Sequence, residues 1–165
     1  MSKQVRHIFV YGTLGKQARN PARRALAKYA AFAREATVKG RLFDLGEYPG
    51  AVPSRGARDR VSGELYAIDQ DHAEELLKVL DSYEEFDPDD KSDSLFVRDV
   101  TEVYGQKSEP LKAWIYWYNG EKDRTAEIPS GDYKQYRARV ANHAKGRVRA
   151  KSAPSAAKAP RRTSR

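Results

Sequence analysis

The sequence predicts one α+β domain: a small mixed β-barrel, or a strongly curled sheet, with two or three helices on its flank. Its 165 residues suffice for about one domain with a core large enough to shape a ligand cavity. Five segments carry strand patterning, whereas only two or three carry helical signals. That excess of strands over helices points to a mixed sheet with helices packed at its side.

Taken in order, Val5 to Tyr11 contains a continuous apolar run, as expected of a strand buried on both faces. A helix follows, opened by Asn20 as cap and Pro21 at the first helical position, where the missing N–H costs nothing. Ala36 to Phe43, Val61 to Ile68, Phe96 to Tyr104 and Leu111 to Tyr118 mostly alternate inward and outward residue types and are rich in β-branched and aromatic side chains. A second helix follows Asp69. A short last helix is expected from Asp132, after the Pro129-Ser130-Gly131 turn.

The formal net charge of +8 belongs to one end of the chain. Residues 144–165 hold eight basic side chains and no acidic one, so residues 1–143 balance 23 Lys and Arg against 23 Asp and Glu. From Lys145 on, Ala, Pro, Ser, Lys and Arg dominate, which buries too little apolar surface to offset the entropy of ordering. The sequence is therefore read as a domain over 1–143 and a basic, disordered tail over 144–165. Such a tail makes weak, salt-dependent contacts with nucleic acid or other acidic partners, or merely adds solubility.

Composition narrows the chemistry. With no cysteine and three scattered histidines, thiolate nucleophiles, disulfides and thiolate metal sites are excluded, and no metal or cofactor is expected. No apolar run approaches the roughly 18 residues of a membrane span. The opening MSKQVRHIFVYG lacks a signal-peptide pattern, and the expected location is the cytoplasm.

One acid stands out. Advancing about 100° per residue from Ala73 puts Leu76, Leu77 and Leu80 on one face, the stripe of an amphipathic helix. Glu84 continues that stripe, while Glu74, Glu75, Lys78, Asp81, Ser82 and Glu85 fall away from its centre, as solvated groups do. If the helix or a last loose turn reaches residue 84, its carboxylate points inward, where charge is costly unless paired or neutralised. A carboxyl pushed toward neutrality suits general acid–base work. If the helix ends near Asp81, Glu84 lies exposed in the loop running through Phe86 to Asp90.

The first strand ends in Val10-Tyr11-Gly12-Thr13-Leu14. A glycine there permits a tight turn and close approach of a ligand to the backbone, whose successive N–H groups can hold a carboxylate or an oxyanion. Many ordinary turns share this feature. The combination is more specific: this turn, then Leu42-Phe43-Asp44-Leu45-Gly46-Glu47-Tyr48-Pro49-Gly50-Ala51-Val52-Pro53, then Gly63-Glu64-Leu65-Tyr66, then Leu80-Asp81-Ser82-Tyr83-Glu84. In this order the segments resemble the γ-glutamylcyclotransferase superfamily, in its AIG2-like and γ-glutamylamine cyclotransferase branch, from about Arg6 to Tyr136.

The resemblance implies a small barrel whose cavity is lined by the glycine turn and the family glutamate. Glu84 matches that glutamate as the last residue of the Leu-Asp-x-aromatic-Glu pattern. Glu85 stands where many relatives have glycine, so it either shifts the pKa of Glu84 or faces solvent. The turn maps onto Tyr11, Gly12, Thr13 and Leu14 as the substrate-binding segment. Trp114, Tyr116 and Tyr118 share one face of a late strand, and the resemblance implies a cavity contact for Tyr118. Tyr48 to Val52 reads either as a loop over the cavity mouth or as a plain turn. The implied activity converts a small γ-glutamyl amide to 5-oxoproline and a free amine, with Glu84 as general acid and base. The rival readings are a binding module of the same fold without turnover, and a protein acting on nucleic acid through its tail.

Overall fold

In a computed structural model of the protein, which describes residues 4–12, 20–107, 109–122 and 126–150, five strands close on one another. β1 (His7–Val10) runs antiparallel to β4 (Arg60–Ile68) and parallel to β6 (Leu111–Tyr118). β2 (Ala30–Asp44) pairs with β4 along most of its length and meets β5 (Phe96–Tyr104) at Thr37 and Val38. The pairing of β5 with β6 completes the ring. The expected small mixed barrel is thus present.

Strand alternation divides the apolar residues into two sets. Phe9, Val38, Val61, Leu65, Val103 and Ile115 are all buried and fill the barrel. Gly63 makes room for this filling: a Cβ there would lie 2.4 Å from the Val10 carbonyl and 2.6 Å from the Phe9 ring. That close approach accounts physically for the glycine of the Gly-Glu-Leu-Tyr segment. On the outer face Ile8, Val10, Phe96 and Tyr116 pack under Leu26 of α1 (Pro21–Tyr29) and Leu76 and Leu80 of α2 (Ala73–Tyr83). The Asn20 cap forms as expected, its side-chain oxygen accepting from the Ala22 N–H at 2.9 Å.

Two strands depart from the sequence reading. β3 (Pro49–Pro53) pairs along the far end of β2, from Gly40 opposite Pro53 to Asp44 opposite Pro49, and β7 (Glu127–Ile128) pairs with the same end of β2. Tyr48 to Val52 is therefore not a loop over a cavity mouth, since all of it but Tyr48 lies in β3. Pro49 and Pro53 sit at the two ends of this edge strand, where a missing N–H is tolerated. β2 also begins at Ala30, directly after α1, with its register shifted between Phe32 and Arg34.

The chain divides into two units, Met1–Tyr133 and Lys134–Arg165. α3 (Tyr133–Ala150) is longer than the expected short helix and carries residues 145–150, which the composition reads as disordered. A segment poor in apolar residues cannot build a core, but its Ala, Arg, Lys and Gln are good helix formers and need none. The rest of the basic tail, 151–165, lies outside the described residues. No described helix is long and apolar enough to cross a membrane.

Candidate active site

The last turn of α2 decides where Glu84 points. Its backbone N–H donates to the Leu80 carbonyl at 2.9 Å, so the helical hydrogen bonding reaches residue 84. Glu85 then takes φ +54, its N–H donating to the Ser82 carbonyl at 3.3 Å while the Phe86 N–H donates to the Asp81 carbonyl at 2.9 Å. This pair of bonds is the left-handed helix ending in which glycine is the usual residue. A glycine would adopt this backbone without strain, and the Glu85 side chain here is exposed.

Glu84 itself is partly buried, on the stripe that includes Leu76 and Leu80. Burial alone pushes its carboxyl up to about 7, from an ordinary value of 4.5. Among the described residues no donor reaches it. Beyond the desolvation that dominates each of them, its charge also raises the pKa of the Tyr11, Tyr83 and Tyr116 hydroxyls.

Tyr11 is half-buried, and desolvation of its hydroxyl strongly raises its pKa. Its hydroxyl donates to the Tyr116 carbonyl at 2.6 Å and accepts from the Ala51 N–H at 3.2 Å, tying the end of β1 to β6 and β3. Gly12 lies against Pro49, 3.1 Å from where its Cβ would stand. Thr13 and Leu14 lie outside the described residues. Tyr118 lies against Gly50, where an added Cβ would come within 2.8 Å of it, and beside Phe96, ring centroids 5.6 Å apart. Tyr11 and Gly12 thus stand at the end of β1, and the charge of Glu84 reaches the Tyr11 hydroxyl. Tyr118 stands further along β6, on the β3 side.

The sequence reading missed two residues. Asp81, taken there for a solvated charge, is only 15% exposed and forms a two-pronged ion pair with Arg98, Nε to Oδ1 at 2.8 Å and Nη2 to Oδ2 at 3.2 Å. The same Oδ1 accepts from the Tyr116 hydroxyl at 2.7 Å. On the wheel Asp81 lies about 80° from Ala73, the stripe's edge rather than its outer face. Arg98 and Tyr116 are register partners on β5 and β6, a pairing no single-strand pattern reveals. The Arg98 guanidinium also stacks over Trp114, 4.5 Å from the ring centre.

A carboxyl that burial pushes toward neutrality, with no fixed partner among the described residues, can both take and return a proton at ordinary pH.

The family model described as "Gamma-glutamyl cyclotransferase, AIG2-like" matches residues 8–135. No curated protein gives a match. Among solved structures, YkqA from Bacillus subtilis is 25% identical with a TM-score of 0.62, over 84% of this chain and 43% of YkqA. An uncharacterized protein from Pyrococcus horikoshii is 24% identical with a TM-score of 0.53, over 85% of this chain and 98% of that one. An AIG2-like protein from Mus musculus shares the fold at 21% identity and a TM-score of 0.58, over 79% of this chain and 89% of the mouse chain. The match of the family model over most of its length shows that the chain belongs to the AIG2-like γ-glutamylcyclotransferase family.

Proposed function

We propose that the protein cyclises a small γ-glutamyl amide to 5-oxoproline and a free amine, with Glu84 carrying the proton. The α-nitrogen of the substrate attacks its own γ-carbonyl carbon, a C–N bond forms, and the bond to the departing amine breaks. Because both reactants belong to one molecule, folding it until they lie about 3 Å apart supplies much of the acceleration. The protein's remaining tasks are to take a proton from the substrate ammonium and to give one to the leaving amine. Glu84 does both in turn, as the carboxylate and then as the acid. Backbone N–H groups from Gly12 to Leu14 hold the substrate carboxylate or the oxyanion, and Tyr118 contacts the substrate from the β3 side.

The observation that carries this reading is the Glu84 carboxyl, which burial pushes up to about 7 with no ionic partner among the described residues, and whose charge reaches the Tyr11 hydroxyl. A structural acid in that position is usually paired, as Asp81 is. The test is a panel of γ-glutamyl compounds incubated with wild type and Glu84→Gln, with 5-oxoproline read by mass spectrometry. Wild type should release product with an acid limb near pH 7, and the variant should lose at least about a hundredfold in turnover while staying folded. Equal release by both proteins refutes the role of Glu84. Binding of a γ-glutamyl compound without product would instead identify a binding module.

A further inference from the structure

We propose that Tyr116 is a positioning residue, which holds the end of α2 that carries Glu84 and the end of β1 that carries the glycine turn at a fixed separation. This rests on the cyclisation reading for its purpose, but not for its geometry. Tyr116 is fastened at both of its ends. Its hydroxyl donates to Asp81 Oδ1 at 2.7 Å, one helical turn before Glu84. Its main-chain carbonyl accepts from the Tyr11 hydroxyl at 2.6 Å, one residue before Gly12.

Each tie is braced from another element. Arg98 on β5 fixes the Asp81 carboxylate by two bonds, so Asp81 cannot turn away from Tyr116 without giving up an ion pair. The Ala51 N–H on β3 donates to the Tyr11 hydroxyl, which fixes that ring in turn. The Tyr116 ring is only 5% exposed and packs among Ile8, Val10, Leu80 and Phe96, so the spacer between the ties is rigid. Desolvation and the Asp81 charge raise its pKa far above its ordinary value, which keeps its hydroxyl a donor.

An intramolecular aminolysis needs such a device. Proton carrier and oxyanion donors come from segments some 70 positions apart in the sequence, Gly12 and Glu84. A misplacement of about 1 Å between them is enough to cost on the order of a hundredfold in rate. The charged and titratable groups around Glu84 are Tyr11 at the end of β1, Tyr83 and Asp81 on α2, Arg98 on β5 and Tyr116 on β6. Asp81 and Arg98 offset each other, so loss of the Tyr116 hydroxyl changes no net charge and acts through position alone.

Tyr116→Phe removes the hydroxyl and keeps both ring and carbonyl. The expected result is a fall in kcat of ten- to a hundredfold with KM changed less than threefold. In a 13C NMR titration of the Glu84 carboxyl, its pKa should move down toward the ordinary carboxylate range as the freed helix end hydrates. Asp81→Asn, which keeps an acceptor for Tyr116 but leaves the Arg98 charge unbalanced, should lower the Glu84 pKa further. The double change Asp81→Leu with Arg98→Met, which removes the acceptor of the Tyr116 hydroxyl without unbalancing charge, carries the same test should Tyr116→Phe not fold. A Tyr116→Phe protein with wild-type kcat and an unmoved Glu84 titration overturns the proposal. If the wild type itself makes no 5-oxoproline, the cyclisation reading fails, and the NMR titration still decides whether Tyr116 positions Glu84.

Discussion

Asp81 and Glu84 stand one turn apart near the end of the same helix, yet their surroundings differ in kind. Asp81 meets Arg98 and the Tyr116 hydroxyl, so its carboxylate is held by three hydrogen bonds from two strands. Glu84 is sunk against the outer core with no donor among the described residues, and desolvation moves it toward neutrality. The contrast separates two uses of an acid. A carboxylate engaged on both oxygens fixes the chain but is poorly placed to exchange protons, whereas an unpartnered one burdens the fold and is free to act.

This comparison can be broken most directly at the paired acid. Arg98→Met removes the cation and should destabilise the protein by about 3 kcal/mol, the low end of the range for a buried pair, because both side chains keep some exposure. Urea unfolding at pH 7 measures it. The double change Arg98→Met with Asp81→Leu should recover part of the loss, because no uncompensated charge remains.

The unpaired acid predicts the opposite sign. The folded state raises the Glu84 pKa from 4.5 to about 7, so between those values the native protein keeps a proton that the unfolded chain has released. Stability attributable to this group therefore falls as pH rises through that window and is lowest above it. Glu84→Gln should stabilise the protein by about 2–3 kcal/mol at pH 8 and by nearly nothing at pH 4, read from denaturation curves at the two pH values. A Gln variant that is less stable than wild type at pH 8 would show that Glu84 has a partner after all.

The smallest effect belongs to the exposed residue that follows Glu84. Glu85→Gly relieves a left-handed backbone at the helix end and should add about 1 kcal/mol of stability. Turnover should stay within twofold, since the Glu85 side chain is exposed. A large drop in turnover would mean that Glu85, not only Glu84, takes part in the chemistry.

The strands of the barrel were legible because each obeys a local rule. β5 and β6 begin and end where alternation of residue types says they do, and the helix at Pro21 starts at its cap. β3 and β7 were not legible. β3 is bounded by prolines and β7 is two residues long, and both exist because β2 offers them a partner. At the site, Glu84 was legible as an acid on an apolar stripe, and Tyr11 and Gly12 as the end of a buried strand. Asp81 was misread, because a wheel records only the helix's own face and its cation comes from a strand beginning thirteen residues further on.

The sequence by itself determined the class of fold and the family, and singled out Glu84 as the candidate proton carrier, because periodicity and short motifs are properties of neighbouring residues. Only the tertiary structure decided that Asp81 has a cationic partner while Glu84 has none among the described residues, and that Tyr116 bonds to both Asp81 and Tyr11. Burial and pairing depend on which distant segments are brought together, and barrel closure, not local propensity, sets that.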